Sequence, residues 1–130
     1  MIRYPVLIEE GNDQAAFGVV VPDLPGCFSA GDTLDEALDA AREAIAAWVD
    51  TMLDAGQPIP APSPLDAVRR LPDFHGWTVG VVELADDVFD DSIERVNITL
   101  PKRVLRRLDD LAAKKGQSRG GFIAELTRSA

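Results

Sequence analysis

The chain has 130 residues, 46% of them hydrophobic, with 22 acids against 13 lysines and arginines and a formal charge of −9. That length allows one ordinary domain or two small ones, and the charge balance excludes a uniformly basic nucleic-acid binder. A single cysteine excludes an intramolecular disulfide framework, and no run approaches the roughly 18 to 20 apolar residues of a membrane span. With no signal-peptide pattern at the start, a reducing, cytoplasmic setting without a membrane partner is expected.

Residues 2–9 read as a strand, with Pro5 pushing it to a sheet edge or leaving its start irregular, because proline cannot donate to a ladder. Glu10 to Asp13 is a turn cluster, and Phe17 to Val21 is a second strand, so the two predict a hairpin. Pro22 to Gly26 bends the chain, and Cys27 to Ala30 is a short third strand. Thr33 and Glu36 stand at capping-box spacing. Behind them Leu34, Ala37, Leu38, Ala41, Ile45, Trp48, Val49, Met52 and Leu53 make one apolar stripe, which Gly56 and Pro58 end. At about 1.5 Å per residue this helix is long enough to cover a small antiparallel sheet.

Four prolines between 58 and 64 predict an extended connection. Ser63 and Pro64 then read as N-cap and first-turn proline of a short helix reaching Leu71. Residues 76–84 form a further strand closing the sheet. The sheet unit is expected over residues 1–84, an acidic linker over 85–93, and a separate tail over 94–130.

In the tail, Val96, Ile98 and Leu100 alternate with Arg95, Asn97 and Thr99, the pattern of a strand with one buried and one wet face. Pro101 ends it and opens a helix with Val104, Leu105, Leu108, Leu111 and Ala112 in one stripe. Gly116 stops that helix, and Ser118 caps another whose Phe122, Ile123 and Leu126 share a face. The tail's 37 residues lie near or below the roughly 40 at which a chain needs help to bury a core. A second copy supplies it: two strands pair antiparallel across a two-fold axis and four helices close over them. The dimer core would then hold Val96, Ile98, Leu100, Leu105, Leu108, Phe122, Ile123 and Leu126.

Such a ribbon fits the DNA major groove with Arg95, Asn97 and Thr99 facing the bases. Arginine suits guanine edges, asparagine suits adenine, and threonine uses either its hydroxyl or its methyl. Ser118, Arg119 and Gly120 open the second helix, where free amides suit a backbone phosphate, and Lys102 is a further phosphate contact. Gly120 and Gly121 either ease close approach to DNA or simply fray the helix start. The order strand, helix, turn, helix resembles the ribbon-helix-helix family over the whole tail.

Charge divides the same way. Residues 1–93 hold four Arg against eighteen Asp and Glu, a net of −14, whereas residues 94–130 hold nine Lys and Arg against four acids, a net of +5. Two surfaces for two kinds of partner follow.

The stretch Met1–Pro62 is similar to the N-terminal domain of HicB-type antitoxins. The likeness is carried by Tyr4–Val6, the bend Pro22–Cys27, Gly31 to Ala37, and Gly56 to Pro60. It implies an α+β fold: a truncated ribonuclease-H-like antiparallel sheet with helices on one face, followed by the DNA-binding tail. It also implies an antitoxin that binds and silences a HicA-type mRNA-cleaving toxin and represses its own operon at operator DNA, as a homodimer or a higher oligomer. The toxin-contacting residues are not readable from sequence. No cofactor, metal or enzymatic activity is expected.

Two other readings compete. A stand-alone regulator would use the first domain to sense a ligand or protein. A metal-dependent nuclease would need Glu9, Glu10, Asp23 and Glu83 gathered on one face, and adjacent Glu9 and Glu10 point to opposite sides of a strand. His75 is a lone loop residue, and Cys27, with no base or second ligand nearby, reads as a small apolar filler.

Overall fold

The computed structural model describes residues 1–130, which divide into two compact units, Met1–Asp91 and Ser92–Ala130. The first holds four antiparallel strands, β1 (Ile2–Glu9), β2 (Phe17–Val20), β3 (Phe28–Gly31) and β4 (Thr78–Leu84), in the order β3-β2-β1-β4. Helix α1 (Leu34–Asp54) crosses one face of the sheet.

Strand β1 is an inner strand, contrary to the edge position expected from Pro5. The Val21 N–H donates to Cys27, which turns the main chain of Leu7 and Glu9, and by alternation of Pro5, toward β2. The ladder to β2 begins only at Leu7, so the missing proline donor faces a side where no ladder runs. Pro5 meanwhile stands opposite Val81 of β4 without owing it a hydrogen bond.

The capping box forms with one variation. Thr33 Oγ1 accepts from the Glu36 N–H at 3.1 Å, while Glu36 Oε2 reaches the Asp32 N–H at 3.2 Å, one residue earlier than the usual reciprocal donor. From there the stripe sorts itself by depth. Ala37, Ala41, Ile45 and Val49 are buried against Tyr4, Val6, Val19, Val21 and Leu24, while Leu34 at the helix start stays exposed. The Tyr4 hydroxyl donates to the Pro60 carbonyl and ties the proline-rich connection to the sheet; burial and then the charge of Asp23 push its phenol upward.

Two expectations about the next segment need correction. Ser63 is not a cap: its N–H donates to Asp23 Oδ2 at 2.8 Å and its hydroxyl to Asp23 Oδ1, and Pro64 takes the cap position. The helix that follows, α2 (Leu65–Arg69), does not join α1 on one face of the sheet. Its Val68 is buried together with Leu7, outside the cluster that α1 covers, so helices lie on both faces. The cause is strand alternation, which turns Pro5, Leu7 and Val81 away from α1 and leaves a second apolar surface to cover.

The linker reading of residues 85–93 also changes. Asp86–Phe89 is a turn of 3-10 helix, and its Val88 and Phe89 pack against the first unit's core, with Phe89 stacked on Tyr4 at 6.1 Å. Two apolar residues inside an acidic run were enough to anchor it.

In the second unit, α3 (Lys102–Lys114) and α4 (Arg119–Ser129) form as expected. Gly116, at φ 65°, sits where Gln117 N–H bonds Ala112 O and Gly116 N–H bonds Ala113 O, a paired closure that needs a left-handed residue. Ser118 Oγ accepts from Gly121 N–H at 3.0 Å. Residues 95–100 carry no strand in this chain: a strand exists by its ladder, and no segment of the same chain bonds to them. No helix is long and apolar enough to cross a membrane.

Candidate functional site

The extended segment before α3 presents Arg95, Asn97 and Thr99 to solvent. Its apolar alternates are equally uncovered: Val96 is 72% and Ile98 64% exposed. Leu100, Leu105, Leu108 and Ile123 are half-buried, Leu126 is exposed, and only Phe122 and Ala112 are buried in this unit. Two buried side chains are a thin core for any folded body, since each buried apolar side chain contributes only about 1.5–3 kcal/mol. Two exposed ion pairs also join its helices, and such pairs add little. Lys115 Nζ reaches Glu125 at 3.2 Å and lies 5.9 Å from the Phe122 ring centre, and Arg119 grips Asp109 with two bonds of 2.9 and 3.0 Å.

That second clamp bears on a residue expected to touch phosphate. The Arg119 guanidinium is already held by Asp109, so what remains at the start of α4 is main chain. Gly121 N–H is capped by Ser118 and Phe122 N–H is bonded to the Ser118 carbonyl, while the first helical amides, of Arg119 and Gly120, have no such partner. Gly120 and Lys102 are exposed.

The Arg119 hydrogen bond and charge hold the Asp109 carboxyl below its ordinary range. A group whose folded pKa is depressed contributes stability that is fully present above its unfolded pKa, about 3.9, and is lost as pH falls through the folded value. The expected result is a thermal midpoint that declines below roughly pH 4, with Asp109→Asn removing part of the decline. A slope unchanged by the substitution would show that the clamp is idle.

The first unit gathers charge, but not in the cluster that the nuclease reading needs. No three His, Cys, Asp or Glu side chains lie close enough to hold a metal ion. Glu9 and Glu10 are exposed, Asp23 is engaged by Ser63, and the Glu83 carbonyl accepts from Arg42 Nε at 3.2 Å. Cys27 is buried, and burial pushes its thiol upward, as suits an apolar filler. On the β4 side of α1 a cleft of about 490 Å³ is lined by Asp50, Asp54, Asp87, Asp90 and Asp91. Sequence inspection missed this cleft because its acids come from α1 and from a stretch read as linker; the signal was the acidic repeat around Val88 and Phe89.

Fold and surface together define an acidic α+β sheet unit followed by a basic two-helix unit. The chain belongs to the HicB-like antitoxin family of bacterial toxin–antitoxin systems, whose profile it matches over residues 4–127. It is 37% identical to the 14.9 kDa protein of the rep–hol intergenic region of Haemophilus phage HP1, over 95% of this chain and 92% of that one. The crystal structure of Burkholderia pseudomallei antitoxin HicB superposes with a TM-score of 0.63 at 30% identity, covering 98% of this chain and 96% of that one. A HicA3–HicB3 toxin–antitoxin complex contains a chain that matches with a TM-score of 0.55 at 29% identity, over 63% of this chain and 96% of that one.

Proposed function

We propose that the sheet unit binds and silences a HicA-type toxin that cleaves mRNA, and that the two-helix unit pairs with a second copy to bind operator DNA and repress its own operon. The observation that carries the reading is the charge split, −14 for residues 1–93 against +5 for residues 94–130, laid onto two compact units. A protein that cleaves RNA needs a cationic surface for its substrate, and an acidic unit both steers toward that surface and competes with RNA for it. The HicA3–HicB3 complex among the similar structures supports such a partner.

The tail acts as a ribbon-helix-helix. Its thin internal core and its uncovered Val96 and Ile98 support a twin strand as the missing cover. In the paired ribbon Arg95, Asn97 and Thr99 enter the major groove, and Lys102, Ser118 and the Arg119 and Gly120 amides meet the backbone. The sheet unit is a truncated ribonuclease-H-like fold that works by binding alone, a reading supported by the scattered positions of Glu9, Glu10, Asp23 and Glu83. Its setting is the cytoplasm, where both RNA and operator are found.

Co-expression with the product of any short basic reading frame found beside its gene tests the toxin half. The expected result is copurification of the two proteins and relief of growth arrest. A neighbouring toxin that arrests growth equally with and without this chain, and does not copurify with it, would overturn the reading.

A further inference from the structure

We propose that Asp109 withholds the Arg119 side chain from DNA phosphate, so that the two-helix unit binds the backbone less tightly than its cations allow. The inference rests on the operator-binding reading of that unit. Arg119 is the first residue of α4, at the turn whose free amides are expected to meet phosphate. A cation has the wrong sign there for the helix dipole, so the helix itself gains nothing from arginine at this position. An anion brought by a ligand would suit it. The unit supplies one from within instead.

Asp109 stands on α3, more than a turn before that helix ends, and draws the guanidinium back onto α3. Arg119 Nε donates to Asp109 Oδ1 at 2.9 Å and Nη2 to Oδ2 at 3.0 Å. Arginine grips phosphate with the same two-pronged geometry, so carboxylate and phosphate compete for one edge of the guanidinium. Both side chains are about half exposed, and an exposed pair adds only about 0–1 kcal/mol to stability. The pair therefore acts mainly on charge: closed, the start of α4 is neutral, and open, it offers a cation from each protomer.

The neighbouring cation is held in a similar way, with Lys115 just past the end of α3 reaching Glu125 at 3.2 Å. Lys102, Arg103, Arg106 and Arg107 remain at the other end of α3, all exposed. Charged contact with phosphate is thus concentrated at the start of α3, and the α4 turn adds amides alone. Asp110, next to Asp109, is exposed and holds no arginine.

The test is binding of the full chain to a short mixed-sequence DNA duplex, followed by fluorescence anisotropy between about 50 and 200 mM KCl. Each phosphate neutralised adds about 0.9 to the slope of log affinity against log salt, so freeing both arginines of a dimer adds about 1.8. Asp109→Ala is therefore expected to gain about tenfold more over wild type at the lower salt than at the higher. Asp110→Ala removes the same charge one residue away and is expected to keep the wild-type slope. Asp109→Ala combined with Arg119→Ala restores the wild-type net charge and is expected to return to the wild-type curve. None of these side chains is buried and alanine favours helix, so the wild-type circular dichroism spectrum should persist. An Asp109→Ala slope matching that of Asp110→Ala would overturn the proposal. So would a double variant that binds more weakly than wild type, because Arg119 would then already meet phosphate. A duplex left free by wild type and every variant at the lower salt would remove the DNA-binding reading, and the proposal with it.

Discussion

Arg95→Ala and Asn97→Ala are each expected to abolish specific operator retention in a gel-shift titration while toxin neutralisation continues unchanged. Both side chains are exposed on the wet face of an alternating segment whose other face is apolar. A bidentate arginine–guanine or asparagine–adenine contact is worth about 1–3 kcal/mol of discrimination. In a two-fold ribbon every substitution is made twice, so the loss is about 2–6 kcal/mol, a factor of at least tens. Residual binding should be sequence-blind and steeply salt-dependent, since Lys102 and the α4 amides still meet phosphate. Normal operator binding by both variants would mean that the segment does not read bases.

The opposite dissociation is expected from Gly31→Ala. A Cβ at Gly31 would lie 2.5 Å from the Ala37 nitrogen and 2.8 Å from the Glu36 carbonyl carbon, both main-chain atoms of the first turn of α1. Neither can rotate away, so the helix start must lift from β3, and with it the capping box and the Ser29 bond to the Ala37 carbonyl. Overpacking of this kind costs about 1–3 kcal/mol, and a clash with main chain belongs at the upper end. That is a large share of the roughly 5–15 kcal/mol that holds a domain folded. The urea midpoint of the sheet unit should fall, and toxin neutralisation should weaken while operator binding persists. Gly120→Ala, where a Cβ meets nothing within 4 Å, should not lower the midpoint. An unchanged midpoint for Gly31→Ala would show that α1 yields cheaply.

Local chemistry alone determined much of this protein. Helices α1, α3 and α4 were legible from signals that act within a few residues of chain: Thr33 and Glu36, Pro101 and Ser118 at their starts, and Gly56 and Gly116 at the ends of α1 and α3. The charge split was legible for the same reason, and it separates an acidic first unit from a basic second one.

Tertiary structure decided what depends on partners distant in sequence. Pro5 could lie in an inner strand because β2 stops short of it, and Ser63 lost its capping role to Asp23, 40 residues away. Val88 and Phe89 joined the core because Tyr4 was there to receive them. The same holds for the β3 edge. That β3 ends the sheet and that Phe28 is left uncovered on it follow from strand order, which is written in no single stretch of residues.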